Sequence, residues 1–119
     1  PCAIKRLRGC GCGNEYVSVT PEGDVYPCHQ FVGKREWIMG SVHDQSLNTE
    51  IKDSFAKTTV YTKPECKNCW AKFYCSGGCN ANNLEYAGAI KKPFKLACDL
   101  EKKRLECAIM IQAALAEME

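Results

Sequence analysis

Cys66-Lys-Asn-Cys69-Trp-Ala-Lys-Phe-Tyr-Cys75-Ser-Gly-Gly-Cys79 decides how the rest of this chain is read. Its four cysteines follow the spacing C-x2-C-x5-C-x3-C, and Gly77 and Gly78 permit the tight backbone that close ligation demands. A C-x2-C step brings two thiolates to one small inorganic centre from a single turn, which serves tetrahedral zinc and iron–sulfur cubanes alike. Regular secondary structure is not expected to dominate such a run. Outside it stand Cys2, Cys10, Cys12, Cys28, Cys98 and Cys107, giving ten cysteines in 119 residues. That density implies disulfides, metals or clusters.

Upstream, Glu15-Tyr-Val-Ser-Val-Thr-Pro-Glu-Gly-Asp-Val-Tyr-Pro-Cys28 alternates apolar and polar residues, breaks at Pro21-Glu-Gly-Asp24 and resumes with Val25 and Tyr26. The pattern predicts a β-hairpin with Gly23 at positive φ in the turn and Pro27 ending the ladder, so that its second strand delivers Cys28. Residues 33–64 hold no cysteine and read as connecting and packing structure. Within them Ser46 to Lys57 predicts a short helix, capped by Ser46 or Asn48, with Ile51 and Phe55 one turn apart. Asn80 to Ala87 predicts another, ended by Gly88, and Lys92-Pro93 breaks the chain before the last element. From about Leu96 to Met118 there is neither Gly nor Pro, and a long helix is expected with Leu105, Ile109 and Leu115 as a buried stripe.

Length fits one domain, residues 1–119, of a size that buries only part of its unfolded surface, so something besides an apolar core must hold it. Charged residues make up 25%, and the hydrophobic share is near the globular average, against disorder or a membrane protein. The apolar stretch around Gln112 falls short of a bilayer span, so no membrane partner is expected. The formal charge of +2 is dispersed apart from Lys5, Arg6 and Arg8, which argues against nucleic acid. The basic N-terminus lacks the apolar segment of a signal peptide, and a cytoplasmic location is expected. Lacking an initiator methionine, the chain reads as a piece of a longer protein.

The ensemble resembles the SPASM domain, the auxiliary-cluster domain of radical S-adenosylmethionine enzymes that mature peptides, whose pattern is C-x(9–15)-G-x4-C, gap, C-x2-C-x5-C-x3-C, gap, C. Here Cys10 or Cys12 with Gly23 and Cys28 fits the first block, Cys66 to Cys79 the second, and Cys98 the last. Arg8-Gly-Cys-Gly-Cys-Gly13 and Thr20-Pro-Glu-Gly-Asp-Val-Tyr-Pro-Cys-His-Gln-Phe-Val-Gly33 look most like thioether-forming maturases of six-cysteine (SCIFF) precursor peptides. The resemblance implies a small α+β domain organised by two [4Fe–4S] clusters, with an N-terminal hairpin, short helices and a long C-terminal helix. It assigns Cys66, Cys69, Cys75 and Cys98 to the second cluster. Cys79 crosses to the first, joining Cys28 and Cys10, with Cys12 either the fourth ligand or a spare that leaves an iron open for a substrate thiolate. Such sharing has a precedent in two-cluster ferredoxins, where the last cysteine of a run serves the other cluster.

The resemblance also implies partners: a radical S-adenosylmethionine barrel upstream in the same protein, and a cysteine-rich precursor peptide. A 5′-deoxyadenosyl radical made in the barrel would abstract hydrogen, and this domain would place substrate and accept an electron. The present residues hold no C-x3-C-x2-C loop, since Asn82 stands where a third cysteine would follow Cys75 and Cys79, so the chain alone is not expected to be catalytic or to bind S-adenosylmethionine. Rival readings are a zinc-binding interaction module and a freestanding ferredoxin-like electron carrier. Trp70, Phe73 and Tyr74 are expected to form an apolar shell at a cluster. His29 and His43 read as surface or capping residues, and Asp99 and Glu101 as helix-start charges. Cys107, about half a turn from Cys98 in azimuth at about 100° per residue, is expected to be a buried free thiol.

Overall fold

The predicted turn at Pro21–Asp24 forms, and the sheet grows from it. In the computed structural model, which describes residues 3–119, Ser18–Val19 (β1) pairs antiparallel with Asp24–Tyr26 (β2), Val19 opposite Val25. Gly23 adopts the expected positive φ of +94°, a conformation that glycine reaches without strain. β2 is the best buried of the strands, with Val25 and Tyr26 in the interior, and Pro27 leads it out into Cys28.

Two further strands continue the sheet where only connecting structure was expected. Gly40–Ser41 (β3) pairs with β2, and Ser46–Leu47 (β4) pairs with β3, giving an antiparallel meander in the order β1-β2-β3-β4. Strands of two residues leave no alternation to read. Ser46 therefore belongs to β4, and Asn48 is the cap of helix α1, Thr49–Ala56, its side-chain oxygen accepting from the Glu50 and Ile51 N–H groups at 3.0 and 3.3 Å.

Helix α1 packs Phe55 against Phe31 and Trp37, with ring centroids 5.2 to 5.7 Å apart in tilted and edge-on contacts. Around this trio lie Tyr26, Ala81, Ile90 and two cysteines, Cys12 and Cys28. The core and the cysteine loops are thus one body. Gly13 makes the joint: an added Cβ would stand 2.6 Å from the Phe55 ring, so only glycine lets the ring lie on the cysteine loop.

The cysteine-rich run holds little regular structure, as expected, with a single helical turn at Lys72–Cys75 (α2). Helix α3 spans Asn80–Ala87 and ends on Gly88 in the left-handed region, and helix α4 spans Lys95–Glu117. Together with the meander these make the chain α+β. The expected buried stripe on α4 is absent: Leu105 is half-buried, while Ile109 and Leu115 are 62% and 50% exposed. Cys107, expected buried, is exposed for the same reason. The helix, about 34 Å long at 1.5 Å per residue, runs beyond the body after its first turns, giving extents of 60 × 27 × 22 Å. The radius of gyration is accordingly 17.0 Å, against about 13.5 Å for a compact chain of this length.

These burials set a measurable contrast. Phe55→Ala should destabilise the protein by about 3–5 kcal/mol through the cavity left in the aromatic trio. Ile109→Ala should change stability by less than about 0.5 kcal/mol. Urea denaturation of both variants is the check, and comparable losses would mean that the α4 face is covered.

Candidate metal centre

Cysteine thiols gather in two places. Cys66, Cys69, Cys75 and Cys98 line a cavity of about 270 Å³ between the cysteine run and the start of α4. Cys12 stands in the electrostatic field of Cys10, Cys28 and Cys79. Thus the last cysteine of the C-x2-C-x5-C-x3-C run parts from the other three and stands with the hairpin, while Cys98 joins those three from α4. The nine cysteines among the described residues are all free thiols, and Cys2 lies outside them.

Local structure explains each placement. The Gly13 N–H is shared between the Tyr16 and Pro27 carbonyls, both at 3.0 Å, and this tie sets Cys12 beside Cys28 at the end of β2. The backbone at Gly9 lies against Ser76 and Gly78, which carries Cys10 toward Cys79. Successive turns link Cys66 N–H to the Lys63 carbonyl and Cys69 N–H to the Cys66 carbonyl, each at 3.0 Å, so both thiols leave one tight bend. Cys75 ends α2, where Ser76 takes the left-handed conformation, and Cys79 caps α3. Cys98 sits in the first turn of α4, its N–H on the Phe94 carbonyl at 3.1 Å.

Two buried polar side chains lock the crossing between the groups. Lys63, 2% exposed, donates from Nζ to the Gly77 carbonyl at 2.7 Å and to Asn80 Oδ1 at 2.8 Å. Asn83 donates to the same Gly77 carbonyl at 3.2 Å and to the Ile90 carbonyl at 3.4 Å, and accepts from the Phe94 N–H at 3.0 Å. Asn83 thereby fixes the start of α4, and with it Cys98, against the Gly77 loop.

A family model for an iron–sulfur cluster-binding domain, SPASM, matches residues 10–70, just over half of the chain. The chain belongs to the SPASM family. It is also 31% identical over 98 residues, 79% of its own length, to a protein of Archaeoglobus fulgidus described only as uncharacterized, and it spans 23% of that protein. Among the described residues of this SPASM chain, no helix is long and apolar enough to cross a membrane.

Iron–sulfur binding fits the donor chemistry of the structure, because clusters are held by cysteine thiolates and eight of the nine described thiols, all but Cys107, stand in two groups of four. Among the described residues, three or more metal-binding side chains do not converge on the point that one metal ion would occupy. Burial pushes the Cys12, Cys28, Cys66 and Cys98 thiols above their ordinary value, and like charge from neighbouring thiolates pushes the same way. Lys63 opposes the rise at Cys66, and Lys102 at Cys98. The Gln30 and Phe31 N–H groups beside Cys28 oppose it there.

The sequence did not reveal the polar neighbours of these thiols. Tyr16 donates its hydroxyl to Cys10 Sγ, and Gln30 its amide to Cys79 Sγ, each at 3.7 Å. Trp70, Phe73 and Tyr74, expected as an apolar shell, are instead 52%, 39% and 65% exposed, with Phe73 edge-on to Tyr61 and under the Lys72 ammonium. The C-x5-C spacing holds the cysteines inward and leaves these rings on the outer side of the turn. His29 is exposed, and His43 contacts the Glu22 carbonyl across the hairpin turn at 3.0 Å. Asp99 pairs with Lys95 and Glu101 with Arg104, all on the surface of α4.

The raised thiols carry a pH dependence with a definite sign. Folded without iron, they favour the protonated form, and this arrangement loses stability as pH climbs past their ordinary value of 9.0. Coordination requires the thiolate and releases the proton, so cluster binding strengthens as pH rises. A chelator should therefore strip iron at lower concentration at about pH 6.5 than at about pH 8.5. Equal stripping at both, followed by absorbance of the loaded protein, would contradict the account.

Proposed function

We propose that this chain is the auxiliary-cluster domain of a radical S-adenosylmethionine peptide maturase, holding two [4Fe–4S] clusters. One set is Cys10, Cys12, Cys28 and Cys79, the other Cys66, Cys69, Cys75 and Cys98. The separation of Cys79 from Cys75 into different thiol groups carries the reading, because a self-contained four-cysteine module would keep the run together. Cys12, left open by its spacing, is buried beside Cys10, Cys28 and Cys79, which supports it as the fourth ligand of its set.

The parent protein in this reading supplies the barrel and the S-adenosylmethionine site, and the substrate is a cysteine-rich precursor peptide that receives a thioether. Family membership, the motifs at Arg8–Gly13 and Thr20–Gly33, and a relative more than four times the span of the match support it. Bound clusters take up one electron at a time, the number released, with a proton, when a thiol joins a carbon radical. The chain's own residues hold the two sets apart across the Gly77 loop, donate to Cys10 and Cys79 from Tyr16 and Gln30, and keep Cys12, Cys28 and Cys66 from water.

After anaerobic reconstitution the protein should be brown and carry about eight irons and eight acid-labile sulfides, four of each per cubane. Cys98→Ala and Cys79→Ala should each lower the count to about four irons, and the residual reduced-state EPR signals of the two variants should differ. Identical residual signals would put both residues in one set. A colourless protein with one zinc per four thiolates would establish the zinc module instead.

A further inference from the structure

The buried lysine at the crossing has a role that hydrogen bonding alone does not account for. Lys63 is 2% exposed, yet among the described residues it forms no ion pair with a carboxylate. Its two acceptors, the Gly77 carbonyl and the Asn80 amide, are neutral. A buried ammonium needs an anion nearby, since desolvation without a compensating charge is expensive. Burial pushes the Lys63 ammonium below its ordinary pKa, and the thiols that act against that fall are Cys66 and Cys75 from one set and Cys12 and Cys79 from the other. Two thiols of each set therefore share one cation.

We infer that Lys63 is a shared electrostatic positioning residue, a single buried positive charge that stabilises the anionic state of both thiol sets and raises the reduction potentials of the two clusters together. This rests on the two-cluster reading above. The sign follows from charge: adding an electron makes a thiolate-held cluster more negative, and a cation within its field favours that state. Sharing follows from position, because Nζ is bonded to Gly77, in the loop that separates Cys75 of one set from Cys79 of the other. The other lysines at the cavity of Cys66, Cys69, Cys75 and Cys98 are Lys72, Lys95 and Lys102, of which Lys95 is exposed and the other two are half-buried.

The test compares Lys63→Met, which keeps the length of the side chain and removes its charge, with Lys63→Arg, which keeps the charge, and with Asn80→Ala, which removes one acceptor. Iron content and EPR-monitored redox titration of each reduced cluster are read on the longest protein that carries this domain. Lys63→Met should shift both midpoints to more negative potential or, where the sets fail to hold, lose iron from both, while Lys63→Arg and Asn80→Ala keep loading and midpoints near wild type. Unchanged iron and midpoints in Lys63→Met would overturn the inference, as would a shift confined to one cluster or an equal shift in Asn80→Ala. A wild-type protein that binds fewer than two clusters would instead overturn the reading beneath it.

Discussion

The carbonyl of Gly77 is the point on which the arrangement turns. It accepts from a buried ammonium and a buried amide at once, and both donors are anchored on further elements, Lys63 ahead of the first cysteine pair and Asn83 on α3. Between Cys75 and Cys79 the chain has three residues in which to leave one thiol group and enter the other, and the left-handed Ser76 and the two glycines make that reversal. A carbonyl held by two donors that lack access to water is held in place, because its drift would cost each buried donor one of its two hydrogen bonds, at about 1 kcal/mol apiece. Cys75, Cys79 and, through Asn83, Cys98 inherit their positions from this one bond pair.

The remaining stabilisation is modest and is tied to the same place. Seven residues form the main buried cluster, and two of them are cysteines, so the aromatic trio and the hairpin thiols share one interior. The five surface ion pairs among the described residues contribute little, since exposed pairs are worth about 0–1 kcal/mol. Thiols raised by burial and by one another press outward on the metal-free fold as soon as they ionise. A cationic centre reverses that pressure, which is how a chain with so small a core is suited to metal-coupled folding.

Punctuation residues were legible in the sequence and buried polar ones were not. Gly23, Pro27, Gly88 and Pro93 bound the hairpin and both C-terminal helices close to where the structure has them, because their backbone preferences act locally. The cysteine spacing, read with the family resemblance, carried the family assignment. The strands β3 and β4 escaped notice for want of length. Leu105, Ile109 and Leu115 do share a region of α4, but periodicity reports which residues are apolar and is silent on what lies against them. Lys63 in a loop and Asn83 on α3 are polar residues that ordinarily mean solvent, and only the tertiary arrangement turns them inward, while Tyr16 and Gln30 stay exposed and only the fold brings them to Cys10 and Cys79.

Along the chain the two thiol groups are threaded through each other, at 10, 12, 28 and 79 and at 66, 69, 75 and 98. Any scission between Cys28 and Cys98 therefore divides at least one group, and a nick in the Gly77-Gly78 dipeptide divides both. No proteolytic fragment short of Cys10 to Cys98 can keep both groups whole, and a genetic split of the domain has no clean seam. Lengthening is another matter. The turn joining β3 to β4 at Val42–Gln45 is exposed and carries no cysteine, and loop closure grows by only about 0.6 kcal/mol for each doubling of length. Foreign sequence is best grafted there, on a continuous backbone, where it leaves every thiol in its group.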